Sequence, residues 1–357
     1  MNFELSGEAR EAEGRAEALL QAEAAAVAGL PGLDGTGLRR LLLAVQRALP
    51  GEAGAEVAAR LALARASPSL LLGVEATRHL SVLLEALGPR ALPEAERDAL
   101  RRGERIGAVA LADAAGAGPA RLEVDGGGWR LTGTKSFVTN GPLGDWIGVV
   151  AGSGGREALC LVSPRDPGVR LGERMELMGL DGLAVSSLAL EGAPLPAARV
   201  LGPFEGRPVA ERYAGEADLS VAVAAAGLMR SVLTAAKGHA LSHQRDGRPV
   251  FARQEVAFKL AEVLALTEAA ELICHRAAWL RRTGDPEAAT VARCAKVFCA
   301  EGAERAAGAC LQVTAGEGYR RGTATERAWR DAKGLSLCGT TAEVARMAIA
   351  DDLLSRA

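Results

Sequence analysis

Residues 129–141 read WRLTGTKSFVTNG, and they sit between two long flanks that read as helix. The stretch has the form of a hairpin: a strand, a Gly133-Thr134 turn, a second strand, then Asn140-Gly141. By alternation, Phe137 and Thr139 fall on one face of the second strand. A ring and a hydroxyl on one face can stack on a planar heterocycle and hydrogen-bond to it. The plain alternative is an ordinary hairpin with a buried Phe137. From about Arg105 to Leu201 the neighbouring segments are short β-type runs broken by glycine, such as IGAVALA, WIGVVAG, ALCLVSP and SSLALEG. Short strands with close turns predict an antiparallel barrel or sandwich.

The flanks follow the helical period. Leu41, Leu42, Val45 and Leu49 repeat on one side of an N-terminal helix, as do Leu19, Leu20, Ala24 and Val27. Pro50-Gly51, Pro68 and Pro93 punctuate this region, and Ser67 or Ser69 caps the helix in SPSLLLGVEATRHLSVLLEALGP. From about Val209 onward three segments run beyond twenty residues with apolar residues at i, i+3, i+4 and i+7, as in Val256, Leu260, Val263 and Leu264. Long helices with short links predict a bundle. The chain is α+β: an N-terminal α-helical domain over 1–105, a middle β-barrel or sandwich domain over 106–205, and a C-terminal four-helix bundle over 206–357.

Composition narrows the function classes. The chain has 357 residues, with Lys+Arg 42 against Asp+Glu 44 and a net charge of −2. That balance argues against nucleic-acid binding. Apolar residues are 49% and no uninterrupted apolar stretch has the length of a membrane span. The start, MNFELSGEAREAEGRAEALL, lacks a basic region followed by an apolar one, so no secretory signal is expected. The six cysteines are scattered without a C-x-x-C pair, which points away from a zinc or redox motif and towards a reducing cytoplasm. His239 and His243 share a helix face but lack a third ligand, so no metal site is expected.

Four stretches carry candidate chemistry. QRDGRPVFARQ is a basic turn in which Arg245 and Arg248 can clamp a phosphate or pyrophosphate, or can simply be a solvated loop. QVTAGEGYRRG ends a helix at Gly316 and Gly318, residues that permit left-handed or close-approach backbone. Gln312 lies one turn earlier, and a plain glycine C-cap is the alternative. In CGTTAEVAR, Thr340 and Glu343 form a capping box, which places a helix N-terminus beside Cys338. The helix dipole favours a thiolate there; a small buried thiol is the simpler reading, and no histidine lies near enough in sequence to serve as its base.

The order of these pieces resembles the acyl-CoA dehydrogenase family: a helical start, GTKSFVTNG, MGLDGLAVSSLALEGAPLPAARVLG, GRPVFARQEVAFKLAE, QVTAGEGY, WRDAK and GTT. The resemblance covers nearly the whole chain. It implies an FAD-dependent oxidoreductase acting on a CH–CH group of an acyl thioester, carried by CoA or a carrier protein. It also implies an electron-transfer flavoprotein as a candidate acceptor, and a homotetramer or a hetero-oligomer with a homologue. Carried over position by position, Phe137, Val138 and Thr139 match the segment against the isoalloxazine ring. Arg253, Gln254 and Gln312 through Gly316 match contacts to the adenosine half across a subunit interface. Thr340 and Thr341 match flavin contacts after the catalytic position.

Departures from the family pattern are concentrated around the same site. The loop Thr-Glu-Pro-Gly-x-Gly-Ser-Asp reads ADAAGAGP over residues 112–119, so Ala112 or Asp113 stands for the Thr and Gly118 or Pro119 for the Ser. The pyrophosphate Arg is His243, with Arg245 as a substitute, and the following Phe is Asp246. A substrate-holding Arg aligns with Asp218. Cys338 takes the position of the catalytic Glu and is a poor base, because a thiol needs ionisation first. Relatives that carry the base on a bundle helix align it with Ala217, which leaves Glu216 and Asp218 as alternative bases. Two readings follow: a dehydrogenase with a non-standard base, or an inactive member that serves as a structural partner subunit.

Overall fold

The computed structural model describes residues 6–49 and 57–355. The predicted break at Pro50-Gly51 lies outside the described residues. The N-terminal helices are α1 (Gly7–Ala22), α2 (Ala24–Ala28), α3 (Gly35–Ala48), α4 (Val57–Ala66), α5 (Pro68–Leu87) and α6 (Glu94–Arg101). Asp34 starts α3 by accepting from the Gly37 amide at 2.7 Å, and Leu38, Leu41, Leu42 and Val45 turn inward. Ser67 caps α5 by accepting from the Leu70 amide, with Pro68 at the first helical position.

Strands β1 (Gly107–Ala110), β2 (Arg121–Asp125), β3 (Gly128–Thr139), β4 (Trp146–Ser153), β5 (Arg156–Val162), β6 (Val169–Leu171), β7 (Val185–Leu195) and β8 (Val200–Phe204) follow. They form one mixed sheet in the order β6-β7-β3-β2-β4-β5-β8, with β1 parallel to β4. Its two halves meet at a single β2–β4 pairing, Arg121 with Gly152. They share one core, in which Leu131 and Leu188 lie with Ile147 and Cys160, so the sheet folds over on itself.

The hairpin expected at residues 129–141 is one continuous strand. Gly133, at φ +145, makes an irregularity instead of a turn, because a Cβ there would lie 2.7 Å from the Ala120 Cα. A second irregularity falls between Lys135 and Val138. It turns Phe137 out at φ +52, and the ring is 67% exposed while Val138 is fully buried.

The C-terminal part contains α7 (Pro208–Ser242), α8 (Gln254–Arg282), α9 (Ala288–Gly318), α10 (Ala324–Leu337) and α11 (Ala342–Ser355). Between α7 and α8, β9 (Gln244–Arg245) and β10 (Arg248–Pro249) form a two-residue hairpin with Asp246 and Gly247 both at positive φ, the turn that Asp-Gly favours. Helix α7 alone is long and apolar enough to match a membrane span among the described residues, but 78% of its apolar window is buried inside the protein. It is a core helix. Ala222 through Ala226 are fully buried, and a Cβ on Gly227 would collide with Ala64 of α4. Small residues therefore draw the N-terminal helices and the bundle into one continuous core.

Candidate functional site

Cys338 closes α10 with an extended backbone, and Gly339 follows at φ +67. A Cβ on Gly339 would sit 3.8 Å from the Cβ of Ala217 on α7. The chain therefore brings α7 and the α10–α11 link together at the position the sequence singles out. The Thr340 hydroxyl donates to Asp218 Oδ1 at 2.7 Å. This removes Thr340 from the predicted cap. Helix α11 starts at Ala342 and is capped by Thr341, whose hydroxyl accepts from the Val344 amide. The buried carboxylate outcompetes the cap for the Thr340 hydroxyl, since an unmet buried charge is the more costly alternative.

The electrostatics around Cys338 oppose ionisation of its thiol. Burial pushes the thiol up to about 11, and the nearby Lys296 ammonium only partly offsets this. Lys296, on α9, is itself wholly buried, and its Nζ has no hydrogen-bond partner. Burial lowers its affinity for a proton, and Asp218 and Cys338 raise it. Burial likewise pushes the Asp218 carboxyl above the usual range, against the Thr340 hydrogen bond and Lys296. Asp218 Oδ2 has no partner.

Glu216 points elsewhere. It lies two residues from Asp218, about 200° around α7, and it pairs with Arg78 at 3.1 Å and with Arg281. These groups belong to a charged network between α4, α5, α7 and α8. Arg60 pairs with Glu75 at 2.9 Å, and Arg78 grips Glu75 from Nε and Nη2. Ser220 Oγ donates to Glu75 Oε2 at 2.6 Å and accepts from Arg60. With the hydroxyl proton turned towards Glu75 or the Glu216 carbonyl, His79 Nε2 at 2.9 Å is placed to donate to Ser220 Oγ. Burial and the arginines push its pKa down to about 3. Tyr213 stacks edge-on with His79 at 5.4 Å and senses both Cys338 and Asp218.

In the predicted flavin loop, Asp113 is held by Lys135, whose Nζ is 2.6 Å from Oδ1, and the same oxygen accepts from the Ala120 amide. The Ala112 carbonyl accepts from the Ser136 amide. This part of the loop is spent on anchoring β3, just before Phe137. Thr139 stands half-buried beyond the ring.

The remaining predicted residues gather at one end of the bundle. Helix α7 ends where α8 begins, and α9 returns antiparallel, so that His239 on α7 senses Glu317 on α9. Arg245, Arg253, Gln254, Gln312 and Gly316 are all exposed there. Arg253 pairs with Asp246 at 2.5 Å. The predicted glycine cap is corrected. The backbone leaves the helix at Ala315 (φ 50, ψ −139), while Gly318 is required for space, since a Cβ there would collide with the Thr314 and Thr325 hydroxyls. An alanine in that conformation is strained. Ala315→Gly is expected to stabilise the chain by about 1 kcal/mol, read as a small rise in Tm; a fall in Tm would contradict the strain.

Sequence reasoning missed Lys296, Tyr213 and the Arg60–Glu75–His79–Ser220 network. The signal was present: Glu75, Arg78 and His79 stand at i, i+3 and i+4 inside an otherwise apolar helix, and Lys296 interrupts ARCAKVFCA.

Comparison with known proteins bears on this arrangement. Residues 109–193 match the model of the acyl-CoA dehydrogenase middle domain, and residues 205–354 that of the acyl-CoA dehydrogenase C-terminal domain. The chain is 30% identical over 311 residues to a benzylmalonyl-CoA dehydrogenase of Aromatoleum aromaticum, covering 82% of this chain and 80% of that protein. It is 28% identical to the human mitochondrial short-chain specific acyl-CoA dehydrogenase, over 81% of this chain and 72% of that one. Among solved structures, the ChsE4–ChsE5 complex from Mycobacterium tuberculosis superposes with a TM-score of 0.85 at 26% identity, covering 99% of each chain. Butyryl-CoA dehydrogenase from Megasphaera elsdenii gives 0.88 at 23%, covering 99% of this chain and 100% of that one. Two domain matches in the expected order, relatives across four-fifths of the length and a shared three-part fold agree: the chain belongs to the acyl-CoA dehydrogenase family.

Proposed function

We propose that this chain is an FAD-binding partner subunit that works beside a homologue carrying the catalytic base. One observation carries this reading: position 338 itself carries no carboxylate, and each acid near it is engaged through at least one oxygen. Glu216 is held between two arginines, and Asp218 is buried and bonded to Thr340. Cys338 itself stays a neutral thiol. Removal of an α proton from an acyl thioester needs a base in its ionised form within reach of that proton.

The residues present fit FAD on one count that packing does not explain. Phe137 is held in water by backbone at positive φ, an arrangement that pays off only when a planar group covers the ring. Phe137, Thr139 and Thr341 would hold the isoalloxazine end, and Arg245, Gln254, Gln312 and Gly316 would meet the adenosine end of a flavin bound across a subunit interface. When bound, FAD would supply hydride acceptance. Association is supported by large exposed apolar side chains on α8 (Phe258, Leu272, Trp279) and on the α10–α11 stretch (Trp329, Leu337, Met347). The ChsE4–ChsE5 complex, by its name, pairs two different chains on this fold.

A second reading is favoured by the free Asp218 Oδ2. A carboxyl with a raised pKa beside Cys338 has the character of a general base, which would make the chain an acyl thioester oxidoreductase in its own right. Anaerobic titration of the purified flavoprotein with acyl-CoAs of differing length separates the two. The partner reading expects flavin absorbance to persist with this chain alone and to bleach once a Glu-bearing homologue is co-purified. Bleaching by this chain alone, abolished by Asp218→Asn, establishes the second reading instead.

A further inference from the structure

Where the three parts of the chain meet they leave a cavity of about 160 Å³, lined by neither Cys338 nor Phe137. Helices α4, α5, α7 and α10 and the turn at Asp181-Gly182 line it, and it opens partly to solvent. One wall is apolar, with Leu30, Leu228 and Val232. The lining also carries Arg65, Asp181 and, one turn apart on α10, Arg327 and Asp331. Asp331 is 6% exposed, and its Oδ1 accepts from the Leu180 amide at 2.6 Å. The neighbouring Arg330 is satisfied by Asp181 and Glu326. Arg327 has no hydrogen-bonding or ion-pair partner for its guanidinium among the described residues, although it lines the cavity beside an acid.

Size and chemistry together restrict the occupant. A cavity of about 150 Å³ with apolar walls admits a benzene-sized molecule. Arg327 lines a partly open space beside Asp331, whose Oδ1 is taken by the Leu180 amide, and a guanidinium with no carboxylate hydrogen-bonded to it favours a carboxylate ligand, which it can hold through two parallel hydrogen bonds. We propose that this cavity binds a small monocarboxylate with a compact apolar body, of about the size of benzoate. The carboxylate meets Arg327 and the body lies against Leu228 and Val232. Such a ligand touches the N-terminal helices, the β region and the bundle at once, and so it stabilises their mutual packing by mass action.

The test uses the full chain as purified, with benzoate as probe and benzamide as its uncharged counterpart. Benzoate is expected to raise Tm with concentration and to give a measurable heat of binding, while benzamide binds at least about tenfold more weakly. Arg327→Gln removes an unpaired, partly exposed group, so it is expected to fold normally and to weaken benzoate by a similar factor. Val232→Phe, which fills the apolar end, is expected to abolish binding. Two results overturn the proposal: no binding of benzoate to the wild-type chain at millimolar concentration, or equal binding by wild type and Arg327→Gln.

Discussion

Glu75→Ala is expected to lower Tm by roughly 5–15 °C, the size of effect that follows from stranding buried charge at about 3–5 kcal/mol. Glu75 is 1% exposed and is the carboxylate shared by Arg60, Arg78 and Ser220. Its removal leaves Arg60, 2% exposed, without an anion. Replacing both members, as in Arg60→Met with Glu75→Leu, is expected to recover most of the loss, because an apolar pair needs no desolvation of charge. A single variant as stable as wild type would show that water reaches the network. The same network sets an acid limit. His79 has its pKa pushed down to about 3 from the ordinary 6.5. The unfolded chain therefore takes up that proton first. The stability contributed by neutral His79 is complete above pH 6.5 and is lost as pH falls towards 3. Asp331, raised to about 6 from 3.8, works in the opposite direction, its contribution fading as pH rises through that interval. His79→Gln is expected to flatten the fall in Tm between pH 6.5 and 4.5.

Cys338→Glu is expected to leave acyl-CoA oxidation at background, at least about 10²-fold below a family enzyme with its base in place. Two features of the surroundings predict this. The introduced carboxylate would face the unpaired ammonium of Lys296, which would pull its pKa down and weaken it as a base. The buried Glu75–Ser220–His79 network, against which Tyr213 packs, also sets charged and hydrogen-bonded groups, not apolar surface, beside α7. Assays with an artificial electron acceptor and acyl-CoAs of several lengths decide the matter. Turnover gained from this one substitution would mean that the site is otherwise intact and would sink the partner-subunit reading.

Much of the fold was readable from periodicity. Helix α3 and the cap of α5 follow directly from Leu38, Leu41, Leu42, Val45 and Ser67. The strand through Gly133 was misread because a glycine between β-type runs signals a turn locally. Only the close approach of Ala120, just before β2 where Arg121 pairs with Thr132, makes it an irregularity in a continuing strand. The same holds at the glycines after Gln312, where the unusual backbone falls on Ala315, a residue without a local signal for it. In the site, Cys338, Asp218 and Thr340 were each legible as departures or motifs. That Thr340 donates to Asp218 was not, because a hydroxyl three residues before a Glu looks like a cap until a buried carboxylate 122 positions away competes for it. Charged networks are poorly encoded in one dimension for the same reason: Arg60, Glu75, Ser220 and Arg281 come from four helices.

The hydrogen bond between Thr340 and Asp218 also couples two distant parts of the sequence. It ties an acid on α7 to the loop that joins α10 to α11. Thr340→Val would leave the buried Asp218 carboxyl without a hydrogen bond on either oxygen. A substitution in that loop is therefore felt in the middle of α7, and changes at the two positions are expected to be non-additive.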